Sequence, residues 1–302
     1  MMHARAKRPA CIGLLLALAA CAASPVPPAP PPPVPETPSP DSRVTLDPVR
    51  RSFALEGAVM QGGLVLGTAP EGAVRLEFGG VDVPLAADGR FLIAFDRDAG
   101  PDATLTAHLP DGTQVVEALN VAPRAWRIEH VNAPLRPSVP SEAFLKMRAA
   151  ELEQIEAARR LRTDSQGWRQ RFIWPHEGRI SGRFGAQRIY RGEPGSYHSG
   201  VDVAGATGQV IVAPADGVVI LASACPFTLE GNLLMLDHGM GLSSAFLHLS
   251  RMDVRNGDHV RQGQAIGAIG STGRATGPHL HWGMKWNAAR IDPMLLAGPM
   301  GE

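Results

Sequence analysis

Between residues 53 and 121 the chain repeats one pattern, a short apolar run followed by a turn signal. The runs include Leu64-Val65-Leu66, Val74-Arg75-Leu76-Glu77-Phe78, Arg90-Phe91-Leu92-Ile93-Ala94-Phe95 and Leu105-Thr106-Ala107-His108-Leu109. Gly62-Gly63, Gly79-Gly80, Asp88-Gly89 and Asp111-Gly112 punctuate them. Alternation with period two puts one set of side chains on a buried sheet face. A glycine after aspartate provides the positive φ of a tight hairpin. The pattern predicts a small antiparallel β-sandwich over 51–123. The period then changes. Pro140-Ser141-Glu142 opens a helix predicted over about 141–163 within a linker at 124–170, with Ser141 as N-cap and Glu142 at its positive end. Phe144, Leu145, Met147, Leu152, Ile155 and Leu161 form its apolar stripe, and charges of alternating sign form its solvated face. From residue 171 to 302 the strand-and-turn pattern returns. Val210 to Val219 reads as strand, tight turn and strand, and Asn232 to His248 as two strands joined near Gly239. Val254 to Gly267 resembles the hairpins of biotinyl/lipoyl-type β folds. The expected class is mainly β, with a β-sandwich, a connecting helix and a C-terminal all-β domain.

The first 50 residues carry neither period. His3, Arg5, Lys7 and Arg8 precede an apolar segment from Cys11 to Ala20, the layout of an export signal over residues 1–20. Leu18-Ala19-Ala20-Cys21 resembles a bacterial lipobox, in which Cys21 becomes the acylated first residue. Ala20-Cys21-Ala22 also fits ordinary signal cleavage. Residues 21–50 read as a proline-rich disordered tether, within which Ser24 to Pro40 favours extended polyproline II, reaching roughly 50 Å at about 3.1 Å per residue. The expected location is the periplasm, with an outer-membrane lipid anchor as the only membrane contact.

Composition narrows the function. Lys+Arg and Asp+Glu are 29 each among 302 residues, so no basic excess points to nucleic acid. No apolar run reaches the roughly 20 residues of a membrane span. The three cysteines are Cys11, Cys21 and Cys225, which leaves one outside the leader and no internal disulfide framework there. Cys225, beside a proline, reads as a small buried or loop-edge residue rather than a reactive thiol.

The candidate chemistry lies in two distant segments. Tyr197-His198-Ser199-Gly200-Val201-Asp202 gives H-x-x-x-D, and Pro278-His279-Leu280-His281-Trp282 gives H-x-H. Histidine and aspartate are zinc ligands. In a strand, His279 and His281 leave the same face while Leu280 points into a core. His198 and Asp202 are about 13 Å apart in a flat strand, too far for one metal, so a turn or bulge at Gly200 is expected.

H-S-G-V-D, Phe246-Leu247-His248-Leu249-Ser250 and G-P-H-L-H-W together resemble the lysostaphin/LytM-type zinc metallopeptidases, the beta-lytic group that cuts peptidoglycan peptides. The resemblance runs from about Trp174 to Pro293. It implies His198, Asp202 and His281 as ligands of one zinc ion, and His248 and His279 as catalytic histidines. Three protein ligands leave a position for water. The H-E-x-x-H glutamate is absent, so the two histidines would move the protons. The family often has an arginine after Phe-Gly; Arg188 is the candidate, with spacing one residue longer. Asn232 matches a groove-lining asparagine, and both are candidate substrate contacts. Phe246 stands where the family commonly has tyrosine. The expected target is the D-Ala to meso-diaminopimelate bond. Some relatives that have lost zinc ligands activate amidases instead, so a non-catalytic activator is the alternative. A protein partner could dock on the N-terminal β domain or on the helix. His108 reads as a strand-face residue, His238 as a structural residue at a turn, His259 as a solvated turn residue, and His176, Glu177 and Glu193 as loop residues.

Overall fold

Seven strands occupy the first β region: Ala54–Gly57 (β1), Leu64–Thr68 (β2), Arg75–Phe78 (β3), Val81–Val83 (β4), Arg90–Ala94 (β5), Asp102–His108 (β6) and Gln114–Asn120 (β7). The computed structural model describes residues 51–135 and 140–300, so the leader, Cys21 and the proline-rich tether lie outside the described residues. Two antiparallel sheets form, β1-β2-β5 and β4-β3-β6-β7. They bury Val65, Leu76, Phe91, Ile93, Leu105 and Ala107 between them. This is the sandwich that the alternation predicts. Gly79 and Gly80 both adopt positive φ and turn β3 into β4, as a two-residue hairpin demands. Asp88-Gly89 acts differently. Its flanking strands, β4 and β5, lie in different sheets, so the turn sends the chain across the sandwich instead of closing a hairpin.

The linker does more than span. Ile128–Val131 (β8) pairs in parallel with Gln187–Tyr190 (β10), which also pairs with Glu193–Pro194 (β11). The helix, α1, runs from Glu142 to Arg160, and the Ser141 hydroxyl accepts the Phe144 N–H at 3.2 Å. Its apolar stripe differs from the expected one. Leu145, Met147, Leu152 and Leu161 are 53, 53, 44 and 52% exposed, and the buried residues are Glu151, Ile155 and Ala158. Ile155 and Ala158 pack on Ile220, Leu221, Phe227, Leu233 and Met235. The rest of the contact is ionic. Arg148 donates to both carboxylate oxygens of Glu230 at 2.6 and 2.7 Å, and Glu151 accepts the Thr228 N–H and hydroxyl at 2.6 Å each. Hydrophobic periodicity cannot reveal a helix face chosen by charge.

The C-terminal strands are Ile180–Gly182 (β9), Val201–Ala204 (β12), Val210–Val212 (β13), Gly217–Ala222 (β14), Asn232–Gly239 (β15), Leu242–Leu249 (β16), Arg251–Met252 (β17), His259–Val260 (β18), Ala265–Ala268 (β19), His279–Trp286 (β20) and Ala289–Ile291 (β21), followed by helix Pro293–Ala297 (α2). The main sheet runs β18-β14-β15-β16-β20-β12-β9. One edge of β20 is shared: β12 pairs with its first half and β21 with its second. Along β20, Leu280, Trp282, Met284 and Trp286 are buried, while His279, His281, Gly283 and Lys285 take the other, partly exposed face. That is the period-two division read from the sequence. His238 is structural, but it sits buried inside β15, not at a turn. His259 and Glu193 are exposed strand residues rather than turn or loop residues. Cys225 is exposed at a bend.

Candidate metal centre

His198 lies just before β12, Asp202 is on β12, and His281 is on β20. The antiparallel register sets Asp202 directly opposite His281. The expected break falls at Gly200, where the chain bends before the strand begins. Its glycine is required by space rather than by φ. A Cβ there would lie 2.5 Å from the Trp282 carbonyl oxygen and 2.7 Å from His281 Nε2. Gly182 on β9 has the same role on the other flank, since a Cβ would collide with the Asp202 carboxylate. Gly182 pairs with Asp202 between β9 and β12, a contact that exists only in three dimensions.

Three donor atoms converge. His198 Nε2 is 3.0 Å from Asp202 Oδ1 and 3.1 Å from His281 Nδ1, and His281 Nδ1 is 2.8 Å from Asp202 Oδ1. A triangle of these edges fits three ligands about 2.1 Å from one cation. His198 Nδ1 donates to the Arg183 carbonyl at 3.1 Å, which leaves the Nε2 lone pair for the centre. Burial alone would raise the Asp202 pKa. Hydrogen bonds from His198 and His281 outweigh it and hold the carboxyl well below the usual carboxylate range. Burial opposes the charged form of His198, yet Asp202 outweighs it and raises that pKa. For His281 burial wins over the Asp202 bond and lowers the pKa.

His248 and His279 stand beside this set. Their ring centroids are 5.0 Å apart, and His248 lies 6.3 Å from His281. His248 Nδ1 donates to the Thr272 carbonyl and His279 Nδ1 to the Gly277 carbonyl, each at 2.8 Å. A carbonyl can only accept, so both rings keep an Nε2 lone pair. Burial lowers the His248 pKa against the pull of that carbonyl. His248 also adopts φ of 65°, a left-handed conformation that a non-glycine residue holds only when its surroundings enforce it. Its N–H donates to the Glu230 carbonyl at 2.8 Å. The site therefore joins five residues from two sequence segments and the end of β16 in one groove, which Leu229, Arg274 and Thr276 also line.

The two weaker candidates land elsewhere. Asn232 Nδ2 donates to the Leu249 carbonyl at 2.8 Å, and its N–H to Thr272 Oγ1 at 2.9 Å. It ties β15 to the strand end that bears His248 rather than lining the groove. Arg188 projects from β10 to Glu129 at 2.8 Å. Phe246 is fully buried and packs in the core. His108 lies on β6 beside Glu77, at 3.5 Å.

One contributor was invisible to sequence reasoning. Arg97 is buried and donates from Nε and Nη2 to the Gly185 carbonyl at 3.3 and 3.1 Å, and from Nη2 to Gln187 at 3.0 Å. Its guanidinium covers the Tyr197 ring at 4.7 Å. The Gly185 N–H in turn donates to the His198 carbonyl at 2.9 Å. The loop carrying His198 is thus braced by a side chain from the end of the first sandwich. Only an arginine some 100 positions away could have hinted at it, and nothing in its local sequence does.

The comparisons with known proteins agree with this geometry. Residues 196–293 match the model of peptidase family M23. The chain is 35% identical over 137 residues to the peptidoglycan DD-endopeptidase ShyA of Vibrio cholerae, covering 44% of this chain and 31% of that protein. It is 36% identical over 121 residues to the murein hydrolase activator NlpD of Escherichia coli, covering 40% of this chain and 30% of that protein. The chain thus matches about a third of the length of these relatives. A crystal structure of a putative peptidase M23 from Pseudomonas aeruginosa aligns with a TM-score of 0.61 at 28% identity, covering 80% of this chain and 96% of that one. The groove with its convergent histidines and aspartate lies within residues 196–293, the span that matches peptidase family M23.

Proposed function

We propose that this chain is a zinc-dependent endopeptidase that hydrolyses peptide cross-links of peptidoglycan, with the bond from D-alanine to meso-diaminopimelate as its target. The observation that carries this reading is the His198, Asp202 and His281 triangle, whose ligand atoms all lie within 4.8 Å of one another, with two further histidines presenting free Nε2 atoms beside it. The donor set suits zinc: two imidazoles and one carboxylate, with no fourth protein ligand in the cluster among the described residues. Zinc, when bound, supplies Lewis-acid polarisation of the scissile carbonyl and makes water a nucleophile near neutral pH.

The chain's own residues supply the rest. Asp202 stays ionised and balances the cation's charge. His248 and His279 take the proton from the attacking water at Nε2 and return one to the leaving amine. The lowered pKa of His248 keeps it neutral, and so able to accept a proton, at neutral pH. The DD-endopeptidase name of the Vibrio relative supports the choice of bond. Acylation of Cys21, a periplasmic location and the division into 51–123, 124–170 and 171–302 belong to the same proposal.

A second reading, an activator of cell-wall hydrolases, is favoured by the similarity to NlpD. Purified chain incubated with cross-linked dimeric muropeptides separates the two. The enzyme converts dimer to monomer, and a chelator stops it. Stoichiometric zinc with no turnover would leave the activator.

A further inference from the structure

From the donor triangle the groove continues along β20, away from His279. The face that carries His279 and His281 next presents Gly283 and then Lys285. Gly283 keeps the floor flat. Here α1 closes over the sheet and forms a cavity of about 210 Å³ that shares His281 and Ser199 with the metal centre. The Arg148 and Glu230 pair fixes the helix at this wall, and the Glu230 carbonyl holds the His248 N–H. The cavity is therefore built onto the same frame as the catalytic groove.

Its charge is unbalanced. Arg148 is matched by Glu230 and Glu151. Of the other three cations in the lining, Arg159, Lys285 and Arg290, only Arg159 has a carboxylate partner for its side chain among the described residues. Arg159 Nη1 reaches Glu156 at 2.8 Å, but its Nε is buried without a partner. The Lys285 side chain makes no ion pair or hydrogen bond among the described residues; burial lowers its pKa, Arg159 and Arg290 add to this, and Glu156 and Asp96 oppose it. The Arg290 guanidinium donates to the Tyr197 hydroxyl at 3.3 Å and lies 5.6 Å from that ring, while its backbone N–H donates to Asp96 at 2.8 Å. Three cations that repel one another beside a cleft form an anion site. The planar guanidinium groups favour a carboxylate, which accepts paired N–H bonds.

We propose that Arg159, Lys285 and Arg290 form a subsite that binds a free carboxylate of the wall peptide. The inference rests on the endopeptidase reading. At about 3.3 Å per strand residue, Lys285 lies on the order of 13 Å along β20 from His281. The recognised carboxylate therefore belongs to the stem peptide beyond the cleaved bond, not to the scissile group. Arg159 comes from α1, so the linker helix sets substrate preference.

The test uses the full chain, zinc-loaded, with His248→Ala to prevent turnover. The probes are a cross-linked muropeptide dimer with free carboxylates and the same dimer with them amidated. The expected result is at least 10-fold tighter binding of the free-carboxylate dimer. Arg159→Gln with Lys285→Gln should abolish that preference at unchanged zinc content, and Lys285→Arg should retain it. Equal affinity for the two dimers, or a preference that survives the double substitution, overturns the subsite. Failure of the unsubstituted chain to cut either dimer overturns the endopeptidase reading instead, and the binding comparison still decides the subsite.

Discussion

Two pairs of histidines face the same groove and differ in what lies behind them. In the first pair, His198 and His281 aim ring nitrogens at one Asp202 oxygen, at 3.0 and 2.8 Å. In the second, His248 and His279 each anchor Nδ1 on a backbone carbonyl and make no hydrogen bond at Nε2, although His279 Nε2 lies 3.8 Å from that same Asp202 oxygen. The side chains are chemically identical, so role follows from partner. A carboxylate collects its neighbours into a cation site. A carbonyl fixes the tautomer, for His198 as for His248 and His279, and leaves the Nε2 lone pair available. His238 makes a third case. It is enclosed completely, with Nδ1 on the Asp216 carbonyl and Nε2 against the Ser244 hydroxyl, and it has no outlet to the groove.

The largest expected effect would break the first pair. His281→Ala should lower zinc affinity by more than about 100-fold, beyond what loss of a supporting partner costs, and remove turnover with it. Metal analysis after dialysis, alongside the muropeptide assay, reads both. His279→Ala should cost about 10² to 10⁴ in turnover while zinc stays stoichiometric. Loss of metal from His279→Ala but not from His281→Ala would show that the two roles are exchanged.

The buried histidine gives a stability effect. Burial pushes the His238 pKa down to about 4 from its ordinary 6.5. Above pH 6.5 both folded and unfolded states hold it neutral. As pH falls through that value the unfolded state takes up a proton and the folded state does not. Stability is therefore lost between pH 6.5 and 4, on the order of 3 kcal/mol. Urea unfolding across this range should slope more steeply for the unsubstituted chain than for His238→Gln. Equal slopes would mean that His238 does not titrate on unfolding.

The smallest effect probes the wall between the ligands. Gly200→Ala places a methyl group against the Trp282 carbonyl and the His281 ring. Overpacking of this kind costs about 1–3 kcal/mol. It should weaken zinc binding while leaving the His248 and His279 geometry intact. A competitive chelator titration would detect the shift, and unchanged affinity would mean that the bend can relax.

Much of this was legible in the sequence because the signals are local. The alternation of His279, Leu280 and His281 states which way each side chain points. The need for a break at Gly200 follows from strand geometry alone. The sandwich is readable from period-two runs and glycine turns, although Asp88-Gly89 shows that a turn signal does not say which sheet receives the next strand. What stayed hidden depends on distant partners. The face by which α1 docks is selected by Glu230 and Thr228, about 80 residues away. Asn232 and Arg188 look like groove residues by position, but a carbonyl on β16 and a carboxylate on β8 claim their side chains. The parallel pairing of β8 with β10 leaves no mark in either segment, since both are short and partly exposed.

The Arg97 clamp on the Gly185 carbonyl means that the C-terminal half does not own all of the loop that carries His198. Excision of the first β region would strip a guanidinium from the Tyr197 ring and two hydrogen bonds from the peptide that steadies His198. A fragment beginning at β9 would keep His198, Asp202 and His281 and still hold them in a looser grip.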